Sequence, residues 1–388
     1  MIGLVLAAGP PSEELRPLVP PRGNKVLLHV LGRPILYHVL SAVSRRCNRT
    51  LVVYREGEEL VAEEASRIAP SAVPVKQRAG NTVRDAVLAA AGLVDREAYF
   101  LLAFGDLVIP EDAVAELLSA HYEEEPDATI LAVPVEPYHV ETYGIVEVDE
   151  GWRARRVEPR GTVGGAFYAL GGIYVLPNSV LDLLERGANL PEAIGRLASE
   201  GRVRAVPWNR MWVDVGYPTD IIEASYQLLS ALDGSSISSR AEVKPTAVIE
   251  GPVIVEEGAV VDHYAVIKGP AYVGRGAFVG AHSLVRDHAD LGPSTKVGAF
   301  AEVKRSNLQP GASVGSGAVV LDSVLGGNSE LGAGTVTVNV PVEEVVPRLR
   351  ERIAGRPPRV ERKMGAVVPY GARIRPLSVI GPGAVAKS

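Results

Sequence analysis

The 388-residue sequence has a single cysteine, Cys47, which excludes a disulfide framework and any Cys-rich zinc site. Aromatic residues are scarce: they make up 5% of the chain, with five Phe, against 47% hydrophobic residues overall. A core of that size must be built from Val, Leu, Ile and Ala. Basic charge is not in excess either. Lys and Arg number 40 against 46 Asp and Glu, a formal net charge of −6, so there is no electrostatic footprint for nucleic acid. No apolar run approaches the roughly 18 residues of a membrane-spanning helix. The opening MIGLVLAAG lacks a basic segment and its apolar run is short, which predicts a buried first strand rather than a signal peptide. These absences describe a globular protein expected in the cytoplasm, with neither nucleic acid nor membrane as partner.

What the sequence does have is corners. It contains 40 Gly and 29 Pro without a collagen-like period, and its length suits two or three domains. From residue 2 to about 134, short apolar runs alternate with longer amphipathic ones. Ile2 to Ala7, Leu51 to Tyr54, Ala72 to Val75, Tyr99 to Ala103 and Thr129 to Val133 read as strands. Pro74 confines the third of these to a sheet edge. Pro34 to Val43, Glu58 to Ile68, Thr82 to Leu93 and Glu111 to His121 read as helices. Apolar strands separated by helices predict a parallel sheet covered on both faces. The stretch 135–232 is more mixed, with a strand at Gly172 to Leu176 and a helix at Thr219 to Leu232. Asp233 to Arg240 (DGSSISSR) reads as a linker between domains of 1–232 and 241–388.

Beyond that linker the period becomes six. Val243, Ile249, Val255, Val261, Ile267, Val273, Val279, Val285, Leu291, Val297 and Val303 are eleven aliphatic residues in succession at that spacing. A small residue stands two positions before most of them, as at Ala259, Ala265, Ala271, Ser283 and Thr295. The run slips by one residue to Leu308, Val314 and Val320, slips again to Leu325 and Leu331, and returns at Val368, Ile374 and Ile380. Neither a helix nor a simple strand gives a period of six. A hexapeptide solenoid, a parallel β-helix, does. Residues 341–362, charged and broken by proline, interrupt it and predict a projecting loop.

A strand ending in LAAG, an N-K-V-L-L-H-V-L-G-R-P-I-L segment about fifteen residues on, and a hexapeptide solenoid at the far end together resemble the sugar-1-phosphate nucleotidylyltransferases. The match is to their bifunctional nucleotidylyltransferase/acetyltransferase type, similar to N-acetylglucosamine-1-phosphate uridylyltransferase. The resemblance implies a Rossmann-like nucleotidyltransferase domain followed by a left-handed β-helix that associates as a homotrimer. It implies transfer of a nucleotidyl group from a nucleoside triphosphate to a sugar 1-phosphate with release of pyrophosphate.

The site residues follow from the motifs. Such transfer needs N–H donors for the triphosphate, cations against the developing charge, and a metal. Ala7, Ala8 and Gly9 match the start of the phosphate cradle. Its later positions depart: Pro11 stands for the second glycine and Glu13 or Glu14 for the arginine. Pro10 and Pro11 lack N–H groups, and the glutamates bring negative charge toward an anion. Arg16 is then a candidate compensating cation. Lys25 matches the family's phosphate-contacting lysine; alone it would read equally as an exposed lysine before a strand. Gln77 and Thr82 resemble the base-reading glutamine and its Gly-Thr, with helix capping as the alternative. Asp106, in Phe104-Gly105-Asp106, and Asp214, in Trp212-Val213-Asp214, match the metal-binding carboxylates and suit Mg²⁺; separately, each would read as a turn-capping aspartate. Tyr143, Gly144, Glu158 and Gly172 resemble the sugar-binding segments, without the lysine usually found between that glutamate and the proline after it.

In the solenoid, the GAGT segment at 332–335 with Asn339, and then Lys363, resembles the acetyltransferase half, whose co-substrate is acetyl-CoA. Ser316 falls where that half carries its catalytic histidine. A serine hydroxyl cannot act as a general base at neutral pH. His263, His282 and His288 read as surface or inter-coil residues. Three functions stay open: an active nucleotidylyltransferase, a catalytically silent regulatory or scaffolding paralogue, and a hexapeptide acyltransferase.

Overall fold

The computed structural model describes residues 1–94, 98–135, 143–159, 168–340 and 363–387. They divide into two compact units. The first comprises Met1–Pro10, Arg22–Leu27 and Ile35–Asp214; the second comprises Pro11–Pro21, Leu28–Pro34 and Val215–Ser388. This division differs from the expected one, a linker at 233–240 between domains of 1–232 and 241–388. Ser236–Ile237 already pair in parallel with Ile254–Val255 as solenoid strands. The helix before them also belongs to the second unit, through Ser225, whose Oγ donates to the buried Asp290 carboxylate at 2.8 Å.

In chain order the described elements are β1 (Ile2–Leu6), β2 (His29–Val30), β3 (Arg33–Pro34), α1 (Ile35–Ser44), β4 (Arg49–Arg55), α2 (Glu59–Ile68) and β5 (Val73–Gln77). There follow α3 (Val83–Ala89), α4 (Ala91–Val94), β6 (Tyr99–Phe104), β7 (Leu107–Val108), α5 (Asp112–Glu124) and β8 (Ala128–Pro134). Next come β9 (Ile145–Val148), β10 (Ala154–Glu158), β11 (Tyr168–Pro177), α6 (Ser179–Glu185), α7 (Leu190–Ser199), β12 (Val203–Pro207), β13 (Val213–Asp214) and α8 (Pro218–Ser230). The helix expected over Thr82 to Leu93 is two, because the Ala90 N–H turns back to Leu88 and Val87.

In the first unit β6, β1, β4 and β5 lie side by side in that order and run parallel. Their residues are apolar throughout because both faces are covered. Leu4, Leu6 and Val53 pack with Ala86 and Val87 of α3, while Val5, Val52 and Leu101 pack with α1, α2 and α5. β5 is the edge strand, as Pro74 requires. The sheet is mixed, however, not wholly parallel. β11 runs antiparallel to β6, β8 and β9. Gly172, at φ +77°, lies within the register shift between Leu170 and Tyr174 that lets one edge of β11 meet β9 first and β6 afterwards.

The second unit is the left-handed β-helix that the family resemblance implies. Among the described residues its short strands, from Ser236–Ile237 to Val379–Ile380, form three parallel sheets of seven. Val243, Val261, Val279 and Val297 lie in register, then Val314 and Leu331, so the coil shortens from 18 to 17 residues where the sequence slips. From Val255 to Leu331 the aliphatic column is buried, and so are the corner residues Ala259, Ala265, Ala271 and Thr295. Polar corner residues satisfy themselves locally: the Ser283 and Thr295 hydroxyls donate to the carbonyls of Gly280 and Gly292 at 2.6 and 2.9 Å. Val324–Leu325 pair with Val367–Val368, so the solenoid resumes in register. The interruption at 341–362, expected as a projecting loop, lies outside the described residues.

The same unit holds the β2–β3 hairpin by a buried polar network. His29 N–H donates to Gln309 Oε1 at 2.8 Å, and Gln309 Nε2 donates to the His29 carbonyl at 2.9 Å. Leu31 N–H and Asn307 Nδ2 donate to Asp290 Oδ2 at 2.9 and 2.7 Å. The histidines behave as expected. His282 stacks between Tyr264 and Phe300 on successive coils, and His288 packs on Tyr226.

Candidate functional site

The carboxyl ends of parallel strands gather the candidate residues of the first unit, where open α/β sheets bind ligands. β1 leads into Ala7 and Ala8, both buried, and then Gly9. A Cβ on Gly9 would meet nothing within 4 Å, so this residue opens onto free space. Gly105 is different. Its N–H donates to the Leu6 carbonyl at 2.8 Å, and a Cβ there would stand 2.9 Å from that same oxygen. Only glycine lets the strand turn at once into Asp106.

Lys25 is buried, with Nζ 2.7 Å from Asp106 Oδ2. The exposed-lysine reading is therefore wrong for Lys25. Asp214 comes to the same ribbon: β13 pairs antiparallel with β7, Asp214 opposite Leu107, the residue after Asp106. Among the described residues no group of three or more His, Cys, Asp or Glu side chains forms a ready-made metal centre. Two carboxylates suit an ion such as Mg²⁺, which accepts hard oxygen donors and completes its shell with water and phosphate.

Two residues beside this pair were not singled out in the sequence. Asn24 is fully buried; its Nδ2 donates to the Gly9 carbonyl at 3.0 Å and to Glu58 Oε2 at 2.7 Å. Burial holds the Glu58 carboxyl above its ordinary range, against the opposing hydrogen bond from Asn24 and the charge of Arg55. Their signal was an asparagine just before the motif lysine and a glutamate just before a helix, neither distinctive by itself.

Gln77 ends β5 almost fully buried, donates through Nε2 to the Ala79 carbonyl at 3.2 Å, and leaves Oε1 without a partner. It lines a cleft of about 650 Å³ with Lys76, Arg78, Gly80, Asp85 and Leu88. Thr82 caps the helix that follows. Its hydroxyl donates to Asp85 Oδ2 at 2.7 Å and accepts the Asp85 N–H at 3.2 Å, and these bonds lower the Asp85 pKa.

The sugar-binding candidates form two neighbourhoods. Gly144 lies beside Glu158, one residue from the Ile145–Glu158 pair of β9 and β10, and Glu158 is ion-paired with Arg156. Tyr143 meets Trp212 edge to face at 5.1 Å, and the Trp212 indole donates to the Gly171 carbonyl at 3.0 Å. A Cβ on Gly172 would press on Leu107 and Phe104 at 2.9 and 3.1 Å, next to Asp106.

The remaining phosphate-loop residues belong to the second unit. Ser12 organises them: its Oγ donates to the Gly216 carbonyl at 2.7 Å and accepts the Leu15 N–H at 3.2 Å, while its carbonyl accepts the Arg16 N–H at 3.0 Å. The N–H groups of Ser12, Glu13 and Glu14 bond to nothing among the described residues. Glu13 and Glu14 line a cleft of about 560 Å³ with Tyr217, Met364, Val367 and Lys387. Arg16 opens a short 3-10 turn, Arg16–Leu18, and is exposed.

The Nucleotidyl transferase family model matches residues 2–231. The chain belongs to this family. Over 268 residues it is 30% identical to the bifunctional protein GlmU of Methanocaldococcus jannaschii, covering 67% of this chain and 61% of that protein. It is 26% identical over 272 residues to a bifunctional sugar-1-phosphate nucleotidylyltransferase/acetyltransferase of Sulfurisphaera tokodaii, covering 67% and 63%. It is 31% identical over 176 residues to a probable mannose-1-phosphate guanylyltransferase 3 of Arabidopsis thaliana, covering 44% and 50%. The chain spans about three-fifths of the length of the GlmU proteins it matches.

The acetyltransferase-like residues lie in the second unit. Ser316 is exposed at a turn, its carbonyl accepting the Gly334 N–H at 2.9 Å. Asn339 donates instead to Asp322, which also holds the buried Arg305. Lys363 resumes the described chain two residues before Gly365, whose N–H donates to the Asp322 carbonyl at 2.8 Å.

Proposed function

We propose that the protein transfers a nucleotidyl group from a nucleoside triphosphate to a sugar 1-phosphate and releases pyrophosphate. The observation that carries this reading is the buried Lys25–Asp106 contact with Asp214 in the adjoining ribbon. A structural role would need neither the carboxylate pair nor a buried lysine beside it. Mg²⁺ held by Asp106 and Asp214 would supply charge neutralisation for the departing pyrophosphate. Lys25 adds a cation in a site largely shielded from water, where such a charge acts strongly on phosphate oxygens. Asp106 keeps its ammonium oriented. Ala7, Ala8 and Gly9 leave room for the nucleotide, and Gln77 offers Oε1 to the base. The phosphate oxygen of the sugar 1-phosphate attacks the α-phosphorus as the bond to the β-phosphate breaks.

The setting we propose is the cytoplasm, with the β-helix assembling as a homotrimer. Among the described residues no helix is long and apolar enough to cross a membrane. The silent-paralogue reading rests on the loop after Gly9, where Pro10 and Pro11 offer no N–H and Leu15 and Arg16 spend theirs on Ser12. Pyrophosphate release with Mg²⁺, each nucleoside triphosphate and a panel of sugar 1-phosphates separates the two. No release with any pair and no bound nucleotide would overturn transfer in favour of the silent paralogue. Light scattering that found a monomer at micromolar concentration would remove the trimer.

A further inference from the structure

Arg55 ends β4, the strand lying between β1, which leads to Gly9, and β5, which ends at Gln77. It pairs in parallel register with Gln77. Alternation along the strands puts both on the sheet face of Val53, Val75 and Ala8. Two of its guanidinium nitrogens, Nε and Nη2, are buried and have no hydrogen-bond partner among the described residues. Glu58, the carboxylate whose pKa feels this charge, is bonded to Asn24 instead, and Asn24 reaches the Gly9 carbonyl. Beside Arg55 the Gln77 Oε1 is likewise buried and unmet.

Buried guanidinium N–H groups without an acceptor are costly to hold, and the planar fork matches anionic oxygens. The loop that follows Gly9 carries Glu13 and Glu14 where the family places an arginine. We propose that Arg55 is a nucleotide-binding residue, donating through Nε and Nη2 to phosphate oxygens of the nucleoside triphosphate in place of the arginine missing from the loop. This assignment rests on the nucleotidyl-transfer reading above and goes beyond it by naming the triphosphate's cation.

Calorimetric titration of the full chain tests it, with Mg²⁺, each nucleoside triphosphate and the corresponding nucleoside, and no sugar phosphate. In the wild type at least one triphosphate binds. R55Q weakens that binding about ten- to hundredfold, the worth of a charged hydrogen bond, and leaves the nucleoside within about twofold. R55K, which keeps the charge but not the fork, recovers part of the loss. Ligand-free R55Q unfolds at or above the wild-type temperature, because buried guanidinium donors without acceptors have been removed. Triphosphate binding unchanged in R55Q would overturn the assignment while leaving nucleotidyl transfer standing. So would an equal loss for the nucleoside, or R55Q unfolding well below wild type, which would make Arg55 a structural residue. A wild type that binds no triphosphate would overturn both proposals.

Discussion

Lys25 Nζ lies 2.7 Å from Asp106 Oδ2, with side chains 10% and 18% exposed. Each neutralises the other where little water remains. Removing one partner strips the other of this buried contact, at up to about 3 kcal/mol. Asp106→Ala is therefore expected to abolish pyrophosphate release and to lower thermal stability as well. Asp106→Asn, which keeps the shape, separates the effects: activity is lost while unfolding moves less. A pyrophosphate assay and calorimetry on both variants check this. An Asp106→Ala enzyme of unchanged rate would remove the metal assignment.

Gly172 sits at φ +77° against Leu107 and Phe104. Gly172→Ala forces an L-residue into the left-handed region, at about 1–2 kcal/mol, and presses a methyl on the residue after Asp106. The expected outcome is a lower unfolding temperature with KM for sugar 1-phosphate raised more than KM for the nucleotide. Steady-state kinetics with each substrate varied in turn decides it. Equal effects on both constants would remove Gly172 from the sugar side of the site.

Asp290 gives the second unit a pH signature. Burial raises its pKa from the ordinary 3.8 to about 6, although Leu31 N–H, Ser225 and Asn307 all donate to it. The folded state thus holds its proton more tightly than the unfolded state between about pH 4 and 6. Its contribution to stability is complete below pH 4 and is lost as pH rises through 6. Asp290→Asn lacks this dependence. Its stability relative to wild type should rise across that window by up to about 3 kcal/mol. Unfolding curves of both proteins at several pH values measure the difference. A difference flat with pH would show that Asp290 does not titrate there.

Ile267 is fully buried in the solenoid column, between the in-register Ile249 and Val285. Ile267→Ala leaves a cavity in a prism too narrow to collapse, and about 3 kcal/mol of stability is expected to go with it. Thermal unfolding followed by circular dichroism reads the loss. Tyr264→Ala, at an exposed corner, should change stability far less.

Much of the solenoid was legible in advance because its contacts repeat at a fixed spacing. The period of six marks the wall residues, and even the one-residue slip at Leu308 marks the coil that shortens. The glycine and aspartate after β6 were legible through the family resemblance, because a short motif at a strand end is local in sequence. Thr82 shows the limit. Its neighbours in sequence suited both a nucleotide contact and a helix cap, and only the placement of Asp85 shows that its hydroxyl takes part in a cap.

The sequence by itself determined the hexapeptide solenoid, the parallel strands of the first unit and the candidate positions of Lys25, Asp106 and Asp214, since each follows from periodicity or a short motif. Tertiary structure decided what depends on distant segments meeting. It turned β11 antiparallel, assigned 11–21 and 28–34 to the solenoid unit, buried Lys25 on Asp106, and left Arg55 Nε and Nη2 without hydrogen-bond partners beside Gln77. Strand direction and charge pairing across tens of residues are set by which buried groups find partners, and no local pattern carries that information.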